Sequence, residues 1–136
     1  MTAKKFLNKA DILAQDDLKT RDLQIPEWGN AWVRVRTMNA SERDAFEAST
    51  VVRKGKTVTT NLQNIRARLC LLCLVDPATG ERLFDEGDTF PLGGKSAAAL
   101  DRIFTAAQEL NGLRDTDIEE LAGDSSAAQN GDSLSD

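Results

Sequence analysis

Apolar positions along this chain recur in short stretches whose period changes several times. Leu62, Ile65, Leu69 and Leu72 fall at helical spacing with Asn61 ahead of them as an N-cap, which predicts a helix over residues 61–74. Arg66 and Arg68 keep its first half amphipathic, whereas residues 69–75 are apolar on every side. A helix apolar all round is a buried one, so this stretch is the predicted hub of the core. Ala99, Leu100, Ile103, Phe104, Ala107 and Leu110 form the stripe of a second helix over residues 95–110, closed by the left-handed cap that Asn111-Gly112 favours.

The N-terminal half alternates period-two and helical patterns. Leu23 and Ile25 alternate with Gln24, and Trp32, Val33 and Val35 with Arg34 and Arg36, which predicts a β-hairpin over residues 23–37. Gly29-Asn30 supplies its turn, and Pro26, lacking an N–H, makes the first strand an edge strand or ends it. Asn39 and Glu42 have the spacing of a capping box for a helix over residues 40–50, with Ala45, Phe46 and Ala48 apolar. A short helix over residues 8–16, capped by Asn8, has so thin an apolar side that it must dock or fray. Residues 52–60, with Lys54-Gly55-Lys56 at a turn, read as either a mobile loop or a small ribbon. Residues 76–80 form a turn and allow a second small hairpin between Leu74-Val75 and Arg82-Leu83-Phe84. Residues 85–94 are turn-rich, with room for one helical turn. Thr116 and Glu119 predict a last helix over residues 116–121. Residues 123–136 hold a single Leu and cannot offset their ordering entropy, so disorder is expected there. The fold class is thus α+β: a mainly helical single domain over residues 1–122 with an N-terminal β-hairpin, then an acidic disordered segment over residues 123–136.

Charge divides the chain unevenly. Among its 136 residues are 17 basic and 22 acidic ones, a net of −5. From Arg114 onward one arginine faces seven carboxylates, a net of −6, which leaves the preceding residues at +1. Such an end disfavours nucleic acid phosphates and anionic membranes; it is either a solvated, solubilising segment or an interaction segment. No apolar run is long enough to span a bilayer, and residues 1–8 lack the apolar region of a secretory signal.

Candidate chemistry is sparse. There is no His, which removes Ser-His-Asp and Cys-His catalysis and the usual zinc sites other than an all-Cys one. Only Cys70 and Cys73 are present, too few for an all-Cys site within one chain. Their CxxC spacing matches a redox motif, but they sit deep in an apolar helix rather than at a helix N-terminus, so buried, inert thiols are expected. Asp85-Glu86-Gly87-Asp88 lacks the alternating oxygens of a calcium loop, which leaves capping as its role. Gly93-Gly94-Lys95-Ser96 resembles the end of a phosphate-binding loop but lacks the first Gly and a preceding strand, so it reads as a helix start. Trp28 and Trp32 flank the hairpin turn, where they either roof the core or anchor an interface.

The order of several segments carries a resemblance. Ala10-Asp11-Ile12-Leu13 with Asp16-Asp17-Leu18-Lys19-Thr20 is followed by Ile25-Pro26-Glu27-Trp28-Gly29 and Val33-Arg34-Val35-Arg36. Then come Glu42-Arg43-Asp44-Ala45-Phe46-Glu47, Asn64-Ile65-Arg66-Ala67-Arg68-Leu69, Lys95-Ser96-Ala97-Ala98-Ala99-Leu100 and Leu110-Asn111-Gly112-Leu113. From about residue 10 to 121 this succession resembles the tail assembly chaperones of long-tailed phages and prophages. The resemblance implies a non-enzymatic protein with no cofactor. It implies binding to the tape measure protein in the host cytoplasm, keeping it soluble and promoting tail tube polymerisation, and absence from the mature virion. It further implies a programmed frameshift to a longer form that recruits the major tail tube protein, with this chain's acidic ending fitting a short form or a point near the junction. Self-association is compatible with it. Side-chain type nominates Trp28, Trp32, Phe46 and Phe104 as partner-binding anchors. The competing expectation is a structural tail component, a terminator or connector retained in the particle; a small enzyme is disfavoured by the missing His.

Overall fold

The computed structural model describes residues 4–113. Asn8 caps α1 (Lys9–Leu13) through a reciprocal box with Asp11. β1 (Thr20–Ile25) ends where Pro26 removes the next donor, and Pro26–Trp28 form a 3-10 turn. Gly29 and Asn30 then take left-handed backbone, φ 67° and 61°, and reverse the chain into β2 (Ala31–Arg36). A second capping box, with Asn39 Oδ1 accepting from the Glu42 N–H at 2.8 Å, opens α2 (Ala40–Ser49). β3 (Val51–Lys54) and β4 (Thr57–Thr60) pair as a ribbon. α3 (Ile65–Cys73) runs directly into β5 (Leu74–Val75). A turn and a 3-10 segment (Glu86–Asp88) lead to α4 (Thr89–Gly93) and α5 (Ala97–Leu110), which Ser96 caps by accepting from the Ala99 N–H.

Strands β1, β2 and β5 form one antiparallel sheet in that order, with Leu23 opposite Val33 and Val35 opposite Leu74. Its inward residues, Leu23, Ile25, Val33, Val35 and Leu74, join a single core with α3 and α5. Residues 69–75 are all buried, as an apolar stretch without a polar face must be. The switch from helix to strand inside that stretch lets one buried segment serve two layers. Cys70 faces α5, where its thiol meets the Leu100 carbonyl at 3.8 Å, and Leu74 completes the sheet.

Several sequence expectations change. The central helix begins at Ile65, not Asn61. Asn61 instead spends its carboxamide on an Asx turn, accepting from the Gln63 N–H at 3.1 Å, and Asn64 enters left-handed backbone before the helix starts. Leu62 therefore lies off the stripe and is 41% exposed. The Arg68 guanidinium donates to the carbonyls of Ser49, Asn61 and Gln63, closing the base of the ribbon. Residues 52–60 resolve as the ribbon rather than the loop. Val75 bridges Arg82, which gives the small second hairpin its one rung. With a three-stranded and a two-stranded sheet, α+β describes the domain, and one hairpin in a mainly helical body understates its strands. The second long helix starts at Ala97, two residues late, because Gly93 belongs to α4. A Cβ there would come within 2.9 Å of Asn64 Oδ1, so a larger residue would oblige the Asn64 side chain to shift. The predicted helix 116–121, the segment 123–136 and the domain limit at 122 lie outside the described residues.

The two leucines that the sequence placed on one stripe should now part company. Leu69→Ala should lower stability by about 2–5 kcal/mol, while Leu62→Ala should cost less than about 1 kcal/mol. Denaturant titration of the two variants measures this; equal effects would contradict the late start of α3.

Candidate docking surface

The four aromatic candidates do not form one patch. Trp32, on the outer face of β2, is 64% exposed beside the bidentate Arg34–Asp22 pair, with bonds of 2.7 and 3.1 Å. That pair holds the Asp22 carboxyl below its ordinary range and keeps Arg34 charged. Trp28 lies half-buried against the core from the 3-10 turn. Its turn is tied to α5, since Arg102 grips both oxygens of Glu27 at 2.8 and 3.1 Å. The Arg102 bonds hold the Glu27 carboxyl below the usual carboxylate range. Phe104 is also half-buried against the core. Phe46, 1% exposed, is a core residue. As a surface anchor it is corrected, because position 46 points from α2 toward α3 while Asp44, Ala45 and Ala48 face outward.

Phe46 nonetheless contributes to an opening. With Ala45, Ser49, Leu71, Leu72 and Thr89 it lines a mostly apolar cleft of about 210 Å³ between α2, α3 and the start of α4, with Arg68 and Glu86 at its rim. That is smaller than the roughly 300–1,000 Å³ of typical small-ligand pockets, and suits one large side chain from a partner. Nothing in the sequence separated Phe46 of the floor from Phe90, which leaves α4 at 76% exposure next to Pro91. Phe6 ahead of α1 and Leu13 at its last position are exposed too, and α1 buries none of its residues.

Polar side chains among the described residues fasten the elements to one another. Glu42 caps α2, binds Arg36 at 2.6 Å and approaches Arg82 at 3.8 Å. Asn111 accepts from the Met38 N–H at 2.7 Å and donates to the Ala107 carbonyl at 2.8 Å, while its own carbonyl accepts from Arg43. The sequence marked Glu42 and Asn111 as caps; their cross-element bonds had no local signal. Asp85 and Asp88 are consumed as mutual caps of the 3-10 segment. Among the described residues no group of three or more His, Cys, Asp or Glu is placed to hold a metal ion. No helix among them is long and apolar enough to cross a membrane. Cys70 and Cys73 are free and buried. Burial pushes both thiols up, Cys73 to about 12 and Cys70 further.

The arrangement defines a small α+β domain with a three-stranded and a two-stranded sheet around one core. In fold it is similar to the bacteriophage HK97 tail assembly chaperone, with a TM-score of 0.53 at 14% sequence identity over 68% of this chain and 85% of that one. This agrees with the resemblance carried by the order of the sequence segments, and at that identity the likeness is one of fold. No protein-family model matches the chain, and no curated protein matches it either.

The thiols give a direct check. A buried thiol whose pKa is raised stays protonated in the native state, so its contribution to stability is full below the ordinary value of 9.0 and is lost as pH rises toward about 12. Cys70 and Cys73 should therefore react with a thiol reagent at pH 8 only as fast as the domain unfolds. Rapid labelling of the native protein at that pH would contradict their burial.

Proposed function

We propose that this chain is a non-enzymatic phage tail assembly chaperone that binds the tape measure protein and keeps it soluble until the tail tube encloses it. The observation that carries this reading is the fold shared with the HK97 tail assembly chaperone over 85% of that protein. The surface is compatible with the task. A tape measure protein is long, helical and apolar-faced before enclosure, and such a helix docks by setting single apolar side chains into a groove. The α2–α3 cleft offers one such socket, and Trp32 offers a protruding aromatic of the type that dominates interface energetics. In this reading the chain works in the host cytoplasm and leaves before the virion is complete. A frameshifted longer form would recruit the tube subunit.

Co-expression with the tape measure protein of the same phage, followed by pull-down and mass spectrometry of finished particles, tests the proposal. The tape measure protein should be soluble only with this partner, and this chain should be missing from mature tails. Trp32→Ala should weaken capture by about tenfold or more while moving the melting temperature little, because the side chain is exposed. A tape measure protein equally soluble alone would contradict the chaperone. This chain found stoichiometrically in tails would favour a terminator or connector.

A further inference from the structure

The junction where α5 ends carries a chemical liability that the fold suppresses. Among the described residues, Asn111 alone of the asparagines is followed by glycine. An Asn-Gly step is the most open to ring closure between side chain and backbone, because no side chain shields the glycine nitrogen. Here both reacting groups are occupied. Gly112, at φ 69°, is the left-handed residue of a Schellman cap: its N–H donates to the Glu109 carbonyl at 3.2 Å, and the Leu113 N–H donates to the Gln108 carbonyl at 2.7 Å. The Asn111 carboxamide is held at both ends. It accepts from the Met38 N–H at 2.7 Å and donates to the Ala107 carbonyl at 2.8 Å and toward Cys73 Sγ at 3.6 Å. Arg43 donates to the Asn111 carbonyl at 3.2 Å. Asn111 also keeps helical backbone, φ −85° and ψ −1°, whereas closure requires that backbone to turn until Cγ meets the following nitrogen.

We propose that Asn111 is a deamidation site gated by the junction of α5 with α2: closed while the junction is formed, modified once it opens, and unable afterwards to fasten it. In the opened junction the Gly112 nitrogen attacks Asn111 Cγ. The carboxamide nitrogen leaves as ammonia, taking up the amide proton, and a succinimide remains. Water then opens the ring at either carbonyl to give aspartate or isoaspartate. Water is the sole co-reactant, and nothing is oxidised or reduced. Aspartate at position 111 retains an acceptor for the Met38 N–H but has no donor for the Ala107 carbonyl, 2.8 Å away in the native bond. It also places a negative charge at the C-terminal end of α5, where the helix dipole opposes it. Arg43, the cation at that carbonyl, is already paired with Glu47 at 3.2 Å. Isoaspartate lengthens the backbone between α5 and Leu113, a core residue only 3% exposed. Either product therefore marks a chain that has opened. This inference rests on the junction alone and is independent of the chaperone reading.

Incubation of the full chain at pH 8, native and in guanidinium chloride, tests this when followed by peptide mapping that separates asparagine, aspartate and isoaspartate. Deamidation at Asn111 should be slower in the native protein than in the denatured chain by about tenfold or more. Arg43→Ala, which removes a bond to Asn111, should speed the native reaction by about threefold or more. Glu47→Ala, which removes only the other partner of Arg43, should leave the rate unchanged. Asn111→Asp should lower the melting temperature by several degrees. A native rate equal to that of the denatured chain, equal rates in Arg43→Ala and Glu47→Ala, or an Asn111→Asp protein as stable as the parent would each overturn the proposal. The first comparison needs no variant, so it stands even where a substitution prevents folding.

Discussion

A seven-residue apolar stretch with no polar face, residues 69–75, sets the terms for everything around it. No single layer can cover such a stretch. The chain meets the demand by changing conformation inside it, helix to Cys73 and strand from Leu74. The helical part is enclosed by α2, α4 and α5; the strand part is enclosed by pairing with β2. Burial of this one stretch thereby joins both halves of the molecule into one core, and the hydrophobic effect needs no directional bond to do so.

Direction comes from a few polar fasteners at the edges of that core. Glu42 joins the start of α2 to β2 through Arg36, Asn111 joins the end of α5 to the start of α2, and Arg68 closes the base of the ribbon. Each is a capped or half-buried group that would be costly to leave without partners, and among the described residues no buried side-chain nitrogen or oxygen lacks one. What remains outward is a set of surfaces: an apolar cleft, a lone tryptophan on a polar sheet face and a basic ribbon.

Period and capping made most of the frame legible. The Asn8 and Asn39 caps, the Gly29-Asn30 turn and the all-apolar stretch each act through neighbours in sequence, and each was readable. Failures came where a residue had two local uses. Asn61 could cap a helix or close an Asx turn, and the fold uses the second, with its N–H on the Thr50 carbonyl and its carbonyl on Arg68. Gly93 could open one helix or close another, and in the fold it ends α4. The aromatic candidates suffered most. Side-chain type cannot tell Phe46 of the core from Phe90 of the surface, because burial is decided by which face of α2 meets α3.

In the proposed function a preformed body, built on residues 69–75, offers its surface to the tape measure protein without refolding. Amide hydrogen exchange of the chain, free and bound to that protein, tests this most directly. Residues 69–75 should exchange slowest in both states and equally, with new protection confined to the β1–β2 hairpin and the α2–α3 cleft. Strong protection of residues 69–75 gained only on binding would contradict the account, since it would mean that the partner builds the core instead of docking on it.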